Sequence, residues 1–191
     1  MKTAQPIRNN RQARELASYF LGRGEIRNHV LVVIGIHTAL RISDLLRLTW
    51  DDVYDFERGR IRESITVTEK KTGKSKTILL NKSIVAALGR YLHAAARGRA
   101  LILSRKGTNR AVSRQQAHRI ISEAAKALRF AFGVSCHSLR KTFGYLAWKA
   151  GSSPAVIMKI YNHSSFAVTE RYLGLTQDDL DDCYRSLAEL A

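Results

Sequence analysis

Apolar and polar positions divide the chain into helical stretches around one strand-like interval. Over residues 11–22, Ala13, Leu16, Ala17, Phe20 and Leu21 fall on one helical face, with Asn10 placed to cap the helix and Gly22 and Gly24 to end it. Residues 26–39 are apolar nearly all round, as expected of a helix in the middle of a core. A short helix, ISDLLRL, follows directly after Arg41. The period then changes. Residues 60–80 (RIRESITVTEKKTGKSKTILL) are rich in Ile, Val and Thr and break at KTGK, which predicts a β-hairpin. Helical spacing resumes at 83–95 (Ile84, Ala87, Leu88, Tyr91, Leu92) and at 114–128 (Ala117, Ile120, Ile121, Ala124, Leu128), with Ser113 as N-cap. Further helices are expected at 138–150, at 154–161 with Pro154 in the first turn, and at 166–172. A last helix, 177–190, opens with Thr176 and Asp179 spaced as a capping box. The fold class is therefore mainly α with a small antiparallel β-sheet (α+β), in one domain without internal repeats.

Charge narrows the function. The 191 residues carry 32 Lys and Arg against 16 Asp and Glu, a net charge of +16. The balance is uneven: residues 173–191 hold five acids and one base, leaving 31 bases and 11 acids before them, a local +20. Such an excess favours a polyanion, because Lys and Arg that neutralise phosphates release counterions. The longest apolar run, VLVVIGI (30–36), is too short to span a bilayer, and MKTAQPIRNNRQ lacks the apolar stretch of a secretion signal. Cys136 and Cys183 form neither a disulfide framework nor a metal pattern. The expected setting is a reducing cytosol, and the expected partner is a nucleic acid.

Breaking a DNA strand without a metal takes a nucleophile, a proton donor for the departing sugar oxygen, and donors for the charge that develops on phosphorus. Paired guanidiniums suit that charge because each grips two oxygens. The chain offers such a set in order: Arg41 in TALRISDLLRLTW, Lys71 in KKTGK, His137 and Arg140 in HSLR, His163 in NHSS and Tyr172 in RYLG. In these motifs and their spacing, the chain resembles the tyrosine recombinase (phage integrase) family from about residue 11 to 175, with some likeness to the short fimbrial phase-variation invertases. The resemblance implies that Tyr172 is the nucleophile and that Arg41, Arg140 and His163 hold the phosphate. It further implies that Lys71 is the hairpin acid, with Lys70 and Lys74 as rivals, and that His137 assists proton movement. It implies no cofactor or metal, double-stranded DNA as the partner, and the bacterial cytoplasm, associated with the nucleoid, as the setting. Asp44 lies one turn beyond Arg41, able to hold its guanidinium. Where the family usually reads Leu-Gly-His, this chain has Tyr161-Asn162-His163, and Asn tolerates the left-handed backbone that Gly permits.

The helix after Ser113 leaves Arg114, Gln115, His118 and Arg119 on its polar face, where Arg suits guanine and Gln adenine in the major groove. Lys74 and Lys141 are further expected DNA contacts. The domain reading is an N-terminal extension (1–10), a catalytic domain (11–175) and an acidic C-terminal helix (176–191) able to dock on a neighbouring protomer. The expected activity is site-specific recombination through a 3′-phosphotyrosyl intermediate, by a homo-oligomer on DNA that accessory DNA-bending proteins could assist. The alternatives are a catalytically weakened DNA-binding regulator and relaxation of the type IB topoisomerase kind. Since most family members carry a further helical domain ahead of this one, the chain is expected to be either a minimal recombinase or a piece of a longer integrase.

Overall fold

Ten α-helices and two short antiparallel ribbons make up residues 4–187, the part of the chain that the structure, a computed structural model, describes. Helix α2 (Ile26–His37) runs through the middle, with every residue from Asn28 to Ile36 buried. Its all-round apolar run follows from that position, since α1 (Asn10–Leu21), α5 (Lys82–Tyr91) and α7 (Cys136–Lys149) pack on its different sides. The α2–α7 crossing is close: a Cβ at Gly35 would lie 2.7 Å from Leu139 Cδ1. Glycine at 35 thus fixes how deeply α7 enters the core, and α7 carries two of the expected catalytic residues, His137 and Arg140.

Between α2 and α5 the chain forms α3 (Ile42–Leu45), α4 (Trp50–Val53), a ribbon of β1 (Tyr54–Asp55) with β2 (Arg60–Ile61), and the hairpin of β3 (Ser64–Thr68) with β4 (Ser75–Leu79). In the hairpin Val67 pairs with Lys76 and Thr68 with Ser75. Helix α6 (Arg114–Ala127) opens on Ser113, whose hydroxyl accepts from the Gln116 N–H at 3.1 Å, as expected. Helices α8 (Pro154–Tyr161), α9 (Phe166–Leu173) and α10 (Gln177–Leu187) complete the fold. Beside the main core lies a smaller cluster of Ala39, Ile157, Tyr161 and Leu173, against which Phe143 and Tyr172 pack. No helix among the described residues is long and apolar enough to cross a membrane.

The expected elements are present, with corrections. Asn9, not Asn10, caps α1, its side chain accepting from the Arg11 N–H at 2.7 Å. Helix α4 and the β1–β2 ribbon are absent from the sequence reading because elements of four and two residues span too little chain to show a period. The described part of the expected N-terminal extension packs on the rest of the chain. Ile7 is fully buried, its N–H donating to Thr142 Oγ1 at 2.9 Å, and Arg8 reaches Asp179 at 2.8 Å and the Gly174 carbonyl.

The first turn of the acidic helix is likewise anchored on its own domain. Asp179 accepts from the Thr176 N–H and hydroxyl, each at 3.0 Å, and from Tyr145 Oη at 2.9 Å, with Lys149 Nζ 3.2 Å away. Those donors hold its carboxyl well below the usual range against the opposing effect of burial. Leu180 and Tyr184, further along α10, are exposed. Residues 188–190 of the expected helix lie outside the described residues.

Candidate active site

Arg41 caps the N-terminus of α3, where the chain leaves the core after α2. Its guanidinium forms an ion pair with Glu69, Nη1 to Oε2 at 2.6 Å. Glu69 follows β3 on the inward side, in alternation with Ile65 and Val67, and is fully buried. Thr72 Oγ1 donates to it at 2.9 Å and Lys76 Nζ lies 3.4 Å from its other oxygen. Burial alone would raise the carboxyl, but bonds from Arg41 and Thr72 and the charges of Arg41 and Lys76 hold it at about 2. Burial and the nearby Arg140 lower the Lys76 ammonium in turn. The expectation that Asp44 holds Arg41 is corrected: buried Asp44 accepts the Lys70 N–H at 3.0 Å, pinning the hairpin turn, and Glu69 takes the guanidinium.

The second guanidinium arrives from α7. Arg140 is 1% exposed, with Nη2 donating to the Tyr161 carbonyl at 3.0 Å and Nη1 to that of Ala39. Its Cζ lies 4.7 Å from the Tyr161 ring centre and 5.7 Å from that of Tyr172. Helix α8 ends on Asn162 in the left-handed conformation (φ 54°, ψ 41°), as expected of Asn in place of Gly. That turn delivers His163, whose ring stacks on Tyr161 (4.9 Å, 21° between planes) and meets Tyr172 edge-on at 4.4 Å. A 3.0 Å hydrogen bond between His163 Nδ1 and buried Thr169 Oγ1 fixes the ring. Burial, then the charges of Arg140 and Arg41, push its pKa down to about 4, so the imidazole is neutral at pH 7.

A cavity of about 490 Å³ opens onto this cluster, lined among others by Arg41, Lys71, His137, Arg140 and Tyr172. Arg114 and His118 of α6 form another part of its wall. His137 lies 5.0 Å from the Tyr172 ring, its pKa lowered by desolvation and by the charges of Lys141, Arg140 and Arg41. Among the described residues, the buried side-chain atoms without an aligned hydrogen bond are Arg41 Nη1, Asp44 Oδ2, Glu69 Oε1, Arg140 Nε and Asn162 Nδ2. All five belong to this region. Two of them, Arg41 Nη1 and Glu69 Oε1, are met by charge instead, in the ion pairs with Glu69 and Lys76.

The family model described as "Phage integrase family" matches residues 9–178. The chain belongs to the phage integrase family. It is 35% identical to the probable integrase/recombinase YoeC of Bacillus subtilis over 185 residues, 97% of each chain. It is 30% identical over 152 residues to the type 1 fimbriae regulatory protein FimE of Escherichia coli, covering 76% of this chain and 73% of that protein. The crystal structure of XerA recombinase superposes with a TM-score of 0.78 at 23% identity, over 96% of this chain and 66% of that one. The chain spans about half the length of other curated recombinases that it matches.

Within this phage integrase fold, five of the six expected catalytic residues share one cavity wall, and His163 stands behind Tyr172. Arg140 is buried and held by two carbonyls while it lines the cavity. One placement differs from expectation. Lys141 is not at an open surface: it is 4% exposed and donates to the Arg171 carbonyl at 3.0 Å, on the last turn of α9. Lys74 is exposed at the hairpin tip, as are Arg114, Gln115, His118 and Arg119 on α6. Sequence reasoning missed Glu69, Lys76, Tyr161 and Thr169. Period-two alternation offered a signal for the first two, since Glu69 continues the inward series of Ile65 and Val67, and Lys76 pairs with Val67. For Tyr161 and Thr169 there was none.

Proposed function

We propose that the protein is a DNA strand transferase that cuts and rejoins duplex DNA at specific sites through a tyrosyl–phosphate intermediate. The observation that carries the reading is the nearness of the Tyr172 ring to the Arg140 guanidinium, 5.7 Å, on the wall of a cavity shared with Arg41. Tyr172 Oη attacks the scissile phosphorus, and the bond from phosphorus to the 5′-oxygen breaks. The phenolic proton passes to a neutral imidazole, for which His137 is placed, and Lys71 gives a proton to the leaving 5′-oxygen. Arg41 and Arg140 bear the charge on the non-bridging oxygens, with His163 as a further donor. The phosphotyrosyl bond retains the energy of the broken link, so a 5′-hydroxyl reseals it by the reverse steps.

Duplex DNA is the substrate favoured by the local +20 charge and by the arginines at the cavity wall. Arg114, Gln115, His118 and Arg119, exposed along α6, are the residues we assign to DNA contact, with Lys74 at the hairpin tip. The integrase and recombinase relatives support exchange between sites rather than simple relaxation or regulation without cleavage. A homo-oligomer on DNA follows from this reading, and the exposed Leu180 and Tyr184 on α10 are where a neighbouring protomer could be met. The test uses nicked suicide DNA, which traps the covalent complex. The parent chain forms an SDS-resistant adduct and Tyr172→Phe forms none; an equal adduct with Tyr172→Phe refutes the assignment.

A further inference from the structure

We propose that Tyr161 is a positioning residue for strand cleavage: its hydroxyl ties α8 to both ends of the Arg140–Gly144 rung of α7 and so sets the Arg140 guanidinium against Tyr172. The inference rests on the cleavage reading above and extends it to a residue with no exposed surface. Tyr161 is fully buried. Its Oη donates to the Arg140 carbonyl at 2.6 Å and accepts from the Gly144 N–H at 2.7 Å. In a regular helix those two backbone groups are partners of each other. A hydroxyl that engages both therefore joins the ladder of α7 at the residue bearing the guanidinium, the kind of contact that sets local helix geometry.

The same residue holds Arg140 at its other end. The Tyr161 carbonyl accepts from Nη2 at 3.0 Å, and the ring lies 4.7 Å under Cζ. That ring also stacks on His163 and lies 5.2 Å from the Tyr172 ring. Three members of the site thus rest on one side chain. Gly144 completes the arrangement, because a Cβ there would fall 2.8 Å and 2.9 Å from two carbons of the ring and would collide with the hydroxyl. Residues 144 and 161 are a matched pair. Tyr161 is not a second nucleophile, since it has no exposed surface and burial pushes its phenol up. A leucine at 161, as the family resemblance leads one to expect, would fill part of the space but offer nothing to the rung.

The test is Tyr161→Phe, which keeps the ring and removes only the hydroxyl. Single-turnover cleavage of nicked DNA is measured per bound complex, so that any loss of folded protein drops out. Expected is DNA affinity near the parent's and adduct formation slower by about tenfold, the worth of one buried hydrogen bond to the placement of a charge-stabilising group. On DNA with a methylphosphonate at the scissile position, one anionic oxygen is gone and less is asked of the guanidinium. The deficit there should shrink to about threefold or less. Parent-like rates, or the same deficit on both substrates, would overturn the proposal. Should Tyr161→Phe give no bound complex, Tyr161→Leu with Gly144→Ala, which refills the space, is judged by the same two outcomes. A parent chain that forms no adduct sinks the cleavage reading instead, which keeps the two failures apart.

Discussion

Replacing Glu69 with Gln removes the buried charge that pairs with Arg41 and Lys76 while keeping the size of the side chain. A glutamate that titrates at 4.5 when free titrates here at about 2. At pH 7 the ionised form therefore favours the fold by about 3 kcal/mol over its neutral counterpart. That agrees with the loss expected when one partner of a buried ion pair is taken away, about 3–5 kcal/mol. The sign follows from the depressed value. As pH falls, the unfolded chain takes up the proton first, so the contribution is complete above 4.5 and is lost as pH drops through about 2. At pH 3 only about 1 kcal/mol should remain. Urea unfolding of both chains at pH 7 and pH 3, followed by Trp50 and Trp148 fluorescence, gives the two differences directly. The other titrating groups are common to both chains, but His163 feels the Glu69 charge and so shifts between them. A loss under about 1 kcal/mol at pH 7, or an equal loss at both pH values, would refute the reasoning.

Two further outcomes follow from groups at either side of Tyr172. Arg8→Ala removes donors to Asp179, Thr176 and the Gly174 carbonyl, but Tyr145, Lys149 and Thr176 still serve the carboxylate. The expected loss is about 1–2 kcal/mol, a fall in Tm of about 2–8 °C for a chain this size, and an unchanged melting curve would count against the anchor. His163, held at about 4, contributes stability that is complete above 6.5 and is lost as pH falls through about 4. Its ring NMR signals should stay still between pH 8 and pH 6, and a titration near 6.5 would contradict its burial beside the two arginines.

The helices of eight or more residues were readable from spacing, and so were several of their ends. Ser113, Pro154 and the left-handed Asn162 stand where local chemistry puts them, because a cap or a turn depends on residues within four positions of each other. The six expected catalytic side chains could be named from motifs. Their support could not. Asp44 was a reasonable partner for Arg41 by distance along the chain, and only the inward face of β3 shows that Glu69 takes that place.

What the sequence determined by itself is whatever short-range patterning controls: a mainly helical domain, one hairpin, an order of motifs and a strongly basic surface. The tertiary structure decided the rest. Arg140 meets Ala39 across 101 positions of chain, Arg8 meets Asp179 across 171, and Lys141 turns inward to α9 instead of out to solvent. Such contacts arise only when burying the apolar faces of α2, α7 and α9 brings distant segments together. No local period records which polar groups will then be stranded side by side and must satisfy one another.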